Sequence, residues 1–270
     1  MKKCSRKYVT RHPTSITMID LSKISTRAPE GFSKDKAKKE FKELQEYIAE
    51  MQERMYAEKK HSLLVIFQGM DSSGKDGTTK RVFRQCMPIG LKVKGYGKPT
   101  EEELGHDFLW RVHQHTPKKG MIQVFVRSHY EDILIQRVHH WINKERVEKR
   151  IKAINAFEEL LTFDNNTTII KCYLHLSPER QQEKLQERID RPDKQWKHNA
   201  NDWKEAKLWD EYRDAYHDVL NRCNAIPWHV VPADQRWYRN YYAAKIVAET
   251  LERLNPKYPI LTAEELKVER

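Results

Sequence analysis

Four cysteines, Cys4, Cys86, Cys172 and Cys223, are scattered through 270 residues with no CxxC pair. That excludes a disulfide framework, offers no zinc or redox centre, and points to a reducing compartment. Long apolar runs are also missing. The longest, Leu63 to Phe67, falls far short of the roughly 20 residues that a membrane-spanning helix needs. The basic first residues, MKKCSRKYVTRHP, lack the apolar stretch of a secretory signal. A cytoplasmic protein with no membrane association is therefore expected. Glycine is scarce too, with nine in the whole chain, so each one is informative.

The residues present can build a core: 39% are hydrophobic and 10% aromatic, which excludes disorder as a global description. A mass of 32.3 kDa fits one large α/β domain or two small ones. Lys and Arg outnumber Asp and Glu by 50 to 39, a formal +11 with a pI near 9.3. Such a surplus favours a polyanionic partner: nucleic acid, nucleotides or a phosphate polymer. Most charged side chains are nevertheless expected on solvated helix faces.

Met1 to Pro29 has no period and reads as an extended arm lying on the body or on a neighbouring subunit. From Ser33, an N-cap, apolar residues Phe41, Leu44, Ile48, Met51 and Met55 recur at helical spacing to Lys60. Strand-like runs follow at Leu63 to Phe67, Leu91 to Tyr96, Met121 to Val126, Thr168 to Leu176 and Ile226 to Val231. Helical patterns alternate with them: Gly74 to Met87, Glu101 to His115, Tyr130 to Trp141, Glu145 to Phe163, a start at Ser177 with Pro178 in the first turn, and Arg236 to Leu254. The alternation predicts an α/β, doubly wound parallel sheet covered on both faces. Arg188 to Tyr216 interrupts it with a basic, Trp-rich stretch that reads as a lid. The expected organisation is an arm at 1–32, one domain at 33–256 with the lid at about 188–216, and a tail at 257–270.

Directly after the first core strand comes Gly69-Met70-Asp71-Ser72-Ser73-Gly74-Lys75-Asp76-Gly77-Thr78. This is GxxxxGK in the strand, loop, helix setting that a phosphate-binding loop requires. Gly69, Gly74 and Gly77 let backbone N–H groups converge on phosphate oxygens, the helix N-terminus adds its dipole, and Lys75 can reach a phosphate. The usual Ser/Thr after the lysine is replaced by Asp76. A second acid, Asp71, sits inside the loop, where a carboxylate beside phosphates calls for a divalent cation between them; it is the first candidate metal ligand. At the end of the third strand, Val124-Phe125-Val126-Arg127-Ser128-His129-Tyr130-Glu131-Asp132 places Arg127 and Glu131 where open parallel sheets bind ligands. Arg127 can stabilise a transferring phosphoryl group, and Glu131 can hold metal.

GMDSSGKDGT, RSHYED, KPTEEELGHDFLWRVHQHTP and RPDKQWK together resemble the polyphosphate kinase 2 family, from roughly Phe32 to Pro256. The match is most similar to the subgroup that phosphorylates nucleoside monophosphates and diphosphates. The resemblance implies a fold similar to thymidylate kinase, that is, a P-loop kinase-like sheet with a helical lid. It also implies Mg²⁺ dependence, inorganic polyphosphate as phosphoryl donor or acceptor, AMP or ADP as the other substrate, and a homodimer or homotetramer. Carried over residue by residue, it gives catalytic and metal roles to Asp71, Lys75, Asp76, Arg127 and Glu131, with Asp71 and Glu131 as metal ligands. Phosphate contacts fall to Gly74, Gly77, Thr78, Lys80, Arg84 and the lid residues Arg188, Arg191, Lys194 and Lys197. Lys80 and Arg84, one turn apart, make a likelier pair than either with Arg81. Arg111 and His113 are expected near the cleft, His113 as a structural residue. By the same resemblance, relatives usually carry Asp or Asn where this chain has Val126, so a polar group is missing beside the expected metal. Two other readings stand beside this one: an ATP-dependent nucleoside monophosphate kinase, and a nucleic-acid-binding protein using Trp196, Trp203 and Trp209 for stacking. Trp203 and Trp209, near two turns apart, could equally pack on one helix face as core.

Overall fold

All five apolar runs become parallel strands of one sheet: β1 (Ser62–Gln68), β2 (Leu91–Gly95), β3 (Ile122–Val126), β4 (Thr167–His175) and β5 (Trp228–Pro232), in the order β2-β3-β1-β4-β5. The computed structural model describes residues 18–262 and 265–266. β1 lies at the centre with every residue buried, which is why it reads as an unbroken apolar run rather than an alternating one. Register pairs Phe67 of β1 with Val126 of β3 and Cys172 of β4. The carboxyl ends of these three strands therefore finish level, beneath one cleft.

Helices cover both faces. On one, α1 (Lys34–Glu58), α2 (Lys75–Val82) and α10 (Arg236–Leu254) bury Ile48, Met55, Val82, Val247 and Leu251 against Leu63, Val65 and Phe67. On the other, α6 (Lys144–Asn165) and α9 (Trp209–Arg222) bury Ile154, Phe157, Val219 and Leu220 against Leu64, Ile66 and Phe125. The long helices start on side-chain caps: Ser33 Oγ accepts from Lys36 N, Asn143 Oδ1 from Arg146 N, and Ser177 Oγ from Arg180 N ahead of α7 (Pro178–Asp190). α1 ends on left-handed Lys59 and α6 on left-handed Asn166.

Several predicted helices are shorter. α2 ends at Val82, because Met87 must be extended ahead of Pro88 and the chain has to turn before it. The expected helix from Glu101 to His115 is two single turns, α3 (Glu101–Leu104) and α4 (Trp110–His113). Between them, Asp107 Oδ1 accepts from Leu109 N at 2.9 Å and starts the second turn locally. Tyr130 to Trp141 is a 3-10 turn (His129–Ile133) followed by α5 (Ile135–Val138). Burial of Tyr130, Asp132 and Ile133 overrides the helical period here. In the lid, a break at Leu208 puts Trp203 on α8 (Ala200–Ala206) and Trp209 on α9, so they share no single helix face.

The expected arm reaches 1–32, of which 1–17 lie outside the described residues. From 18 onward it lies on the body. Leu21 is buried in the α6/α9 core, Thr26 Oγ1 donates to Asp234 Oδ2 at 2.7 Å, and Phe32 stacks on Trp237. The same Asp234 accepts from Ser177 N at 2.9 Å, so one carboxylate ties the arm to the start of α7.

Because α1 packs on α10 through fully buried Ile48, Ile48→Ala is expected to cost about 3 kcal/mol of unfolding free energy, read from the urea midpoint. A loss below about 1 kcal/mol would mean that this face is not closely packed.

Candidate active site

The loop between β1 and α2 takes its shape from two glycines. Gly69 has φ +144°, and a Cβ there would stand 2.7 Å from the Leu174 carbonyl of β4. Gly74 has φ +94°, and a Cβ there would overlap the guanidinium of Arg239. Arg239, buried on α10, donates from Nη1 to the Ser73 carbonyl at 2.8 Å. From the outer side, Lys184 of α7 donates to the Ser72 carbonyl at 3.2 Å. Gln181 Nε2 donates to the Asp71 carbonyl at 3.1 Å. With its carbonyls pulled outward, the loop leads into α2, whose first N–H groups have no carbonyl of their own helix to bond. That is the geometry that receives phosphate oxygens.

Lys75 is buried and folds back over the loop, donating from Nζ to the Gly69 carbonyl at 2.7 Å and the Met70 carbonyl at 3.1 Å. Burial, and then the nearby Arg127 charge, push its ammonium down to about 8 against partial opposition from Asp71 and Glu131. Arg127, just past β3, has a left-handed backbone, φ +61°, and its N–H donates to the Phe67 carbonyl at 3.0 Å. Its Nη2 reaches Asp71 Oδ1 at 2.5 Å. Burial alone would raise the Asp71 carboxyl, but the Lys75 and Arg127 charges outweigh it and hold Asp71 below the ordinary carboxylate range. Glu131 goes the other way. Burial raises it, and the Arg127 and Lys75 charges offset only part of that rise.

Asp71, Arg127 and Glu131 line a cleft of about 680 Å³ between the carboxyl ends of the strands and the lid. Its far wall carries Arg111, buried and bonded to Asp132 Oδ2 at 3.4 Å and the Gly97 carbonyl at 3.1 Å. Its lid side carries Trp209 and Tyr212. Tyr216 closes the base, its hydroxyl accepting from Gly69 N at 3.2 Å. The cleft can thus hold an aromatic ring against apolar side chains and aim a phosphate at the loop.

Of the residues singled out from sequence, Asp71, Lys75, Arg127 and Glu131 converge, and Arg188 lies close enough for its charge to lower the Asp71 pKa. Gly74 and Gly77 are in the loop and first turn of α2. Thr78 turns inward, its hydroxyl donating to the Gly74 carbonyl at 3.0 Å. Asp76 and Lys80 are exposed on α2. Arg84 lies beyond the end of that helix, so it and Lys80 do not form the expected one-turn pair. The lid cations are held by the lid: Arg188 pairs with Asp202, Arg191 with Asp193 at 2.8 Å, and Lys194 with Glu187, while Lys197 lies 4.8 Å from the Trp196 ring centroid. Arg111 lines the cleft; His113 is exposed outside it and packs on Phe157.

Arg239 and Lys184 escaped the sequence reading. For Arg239 a signal existed, since it occupies the first place of the stripe Arg239, Ala243, Val247, Leu251, otherwise apolar and buried. Lys184 sits in a polar, Gln-rich stretch, Gln181-Gln182-Glu183-Lys184, and carried no such mark. Val126 shares the β3 face of Val124, which α2 covers, at the level of the loop.

Among the described residues no group of three or more His, Cys, Asp or Glu side chains could cage a metal. The donor set is instead two carboxylates, Asp71 and Glu131, on one cleft wall. That suits a hard divalent cation completing its shell with substrate phosphates and water.

A five-stranded parallel sheet with this loop at the end of its central strand, and an arginine with two carboxylates beside it, defines a P-loop phosphotransferase. The family model for polyphosphate kinase 2 matches residues 31–259, and the chain belongs to that family. It is 44% identical over 214 residues to the AMP/ADP-polyphosphate phosphotransferase of Meiothermus ruber, covering 78% of this chain and 80% of that one. It is 38% identical over 231 residues to the ADP-polyphosphate phosphotransferase of Rhodopseudomonas palustris, covering 80% of each. The crystal structure of polyphosphate kinase 2 from Arthrobacter aurescens TC1 superposes with a TM-score of 0.87 at 36% identity, covering 90% of this chain and 88% of that one.

Lys75→Ala and Asp71→Ala are each expected to lower kcat by about 100-fold or more with the fold retained, as for loss of a preorganised charge contact. Steady-state rates with circular dichroism check this, and near-parental turnover in either variant would remove the loop assignment. Gly74→Ala is expected to be as damaging, because the added methyl displaces Arg239.

Proposed function

We propose that this enzyme transfers phosphoryl groups reversibly between inorganic polyphosphate and AMP or ADP, by direct in-line displacement with Mg²⁺ as the divalent cation. It would work in the cytoplasm as a homodimer or homotetramer. The observation that carries the reading is a collar of cations outside the cleft, against the back of the phosphate loop: Arg81 from α2, Arg180, which pairs with Glu183 and Glu187, and Lys184 from α7, and Arg236 and Arg239 from α10. Lys184 is pushed down to about 7 by burial and then by Arg239, Arg180 and Arg236. Arg239 is pushed down to about 10 by burial and then by Arg236, Arg81 and Arg180. Cations that depress one another in this way are relieved by a polyanion. The loop thus has two approaches, an aromatic and carboxylate-lined cleft on one side and a cationic collar on the other. That suits a nucleotide acceptor facing a phosphate-chain donor.

On this reading the terminal phosphate of the chain lies on the loop amides, with Lys75 turning from the Gly69 and Met70 carbonyls to meet it. Arg127 leaves Asp71 to bear on the transferring group, and the freed Asp71, with Glu131, faces the cation. Held by those two carboxylates, Mg²⁺ would supply positive charge against the charge developing on the transferring and leaving oxygens. Arg111 is placed to receive the acceptor phosphate, and Trp209 and Tyr212 the base. The polyphosphate relatives do not favour the ATP-dependent alternative, and Asp76 denies it the usual hydroxyl ligand. A nucleic-acid platform is weakened because Trp209 packs against the core and Trp203 is half-buried, leaving Trp196 as the exposed one of those three.

Incubation with Mg²⁺, long-chain polyphosphate and AMP or ADP, followed by nucleotide separation, is expected to yield ADP and ATP. Transfer from ATP alone, with none from polyphosphate, would sink the proposal. Lys184→Met is expected to raise the KM for polyphosphate by about 10-fold, one charged contact's worth, and to flatten its salt dependence. The self-paired Arg191→Ala/Lys194→Ala variant should change it less than threefold, roughly a rim pair's worth; the reverse ranking would put the chain on the lid. For the free enzyme, kcat/KM for polyphosphate is expected to fall as pH rises through about 7 and again through about 8, as Lys184 and then Lys75 lose their protons. A profile flat to pH 9 would exclude both. Val126→Asn is expected to lower the Mg²⁺ concentration for half-maximal rate by up to about 10-fold; superimposable titrations would make Val126 packing only.

A further inference from the structure

Midway along β4, between the apolar pairs Ile169-Ile170 and Cys172-Tyr173, Lys171 is fully buried. Its ammonium donates to Glu158 Oε2 at 2.7 Å, the Cys223 carbonyl at 2.8 Å and the Tyr130 hydroxyl at 3.0 Å, so all three hydrogens have acceptors. The Tyr130 hydroxyl donates in turn to Glu158 Oε1 at 2.6 Å, closing a ring of hydrogen bonds among three side chains. His129 Nε2 lies 3.4 Å from the same oxygen, and the Trp228 ring centroid 5.1 Å from the ammonium.

Stability is a poor account of this ring. A buried ion pair contributes little over well-packed apolar side chains of the same volume, because desolvation offsets the attraction. Its place in the chain suggests more. Tyr130 lies between Arg127 and Glu131, on the 3-10 turn that carries Glu131 to the cleft. Arg127 has the left-handed backbone noted above, and such conformations persist only where their surroundings over-determine them. Ser128 Oγ accepts from Tyr130 N at 3.3 Å and from Gln68 Nε2 at 3.3 Å, linking the turn to the end of β1. The phenol of Tyr130 is the far anchor of that turn.

We propose that the Lys171–Glu158–Tyr130 ring is a positioning element for phosphoryl transfer, with Tyr130 holding the turn that aims Arg127 and Glu131 at the reacting phosphate. It touches no substrate and acts through those two side chains. The proposal rests on the reading that Arg127 and Glu131 serve the transfer.

Tyr130→Phe keeps the ring volume and the Lys171–Glu158 pair and removes one hydroxyl. It is expected to lower kcat by about 10-fold or more, as loss of a ligand-orienting partner does, while KM for polyphosphate stays within twofold. In the double variant Tyr130→Phe/Glu131→Gln the loss should be smaller than the product of the two single losses, since the part of the effect exerted through Glu131 cannot be lost twice and only the part carried by Arg127 remains. The volume-matched Lys171→Met/Glu158→Gln variant should unfold at or above the parental temperature yet still turn over more slowly. A merely structural ring predicts the opposite: rates that follow the folded fraction. Parental kcat in Tyr130→Phe, fully additive losses in the double variant, or losses that vanish on correction for folded protein would each overturn the positioning role alone. Parental activity in Glu131→Gln would overturn the active-site reading and this proposal with it.

Discussion

Arg239 can touch the phosphate loop only because position 74 has no side chain. A buried guanidinium, bonded to the Ser73 carbonyl, fills the space that any Cβ at Gly74 would need. That approach turns the Ser73 carbonyl outward at the start of α2, and Lys184 and Gln181 do the same for the Ser72 and Asp71 carbonyls. Since α10 also packs on α1 and β4, the loop is built on a rigid layer of the core rather than on neighbouring surface. A preorganised phosphate cradle needs such support, because amides that had to be oriented during the reaction would forfeit much of their effect.

The charges around the loop are balanced internally. Asp71 holds Arg127, loop carbonyls hold Lys75, and lid carboxylates hold Arg188, Arg191 and Lys194. Each cation has a modest partner that a phosphate, with more charge and more acceptor oxygens, can outcompete. Within the collar Arg180 pairs with Glu183 and Glu187, whereas Lys184 and Arg239 rest on the Ser72 and Ser73 carbonyls, and burial and mutual repulsion depress both. Electrostatic frustration is concentrated on the side away from the nucleotide-sized cleft. This gives the two faces of one loop different chemical character.

The sequence by itself determined the sheet, the loop and their order. Five apolar runs separated by helical periods leave few topologies, and GxxxxGK after the first run names the ligand end. Asp71, Lys75, Arg127 and Glu131 were legible for the same reason: strand ends in an open parallel sheet are fixed places, so residues just past them must meet. Tertiary structure decided what depends on partners distant in the chain. Helical period could not see that burial of Tyr130 and Asp132 converts a predicted helix into a 3-10 turn, or that a break at Leu208 parts Trp203 from Trp209. Basic residues in the lid read from sequence as free cations, but Asp202, Asp193 and Glu187 pair with Arg188, Arg191 and Lys194 in the structure, because charge is read from sequence but pairing is a matter of geometry. Lys184 and Lys171 show the limit most plainly. One sits in a polar, Gln-rich stretch and one in the apolar middle of a strand, and only the packing of other elements against them sets what each ammonium meets and how strongly burial acts on it.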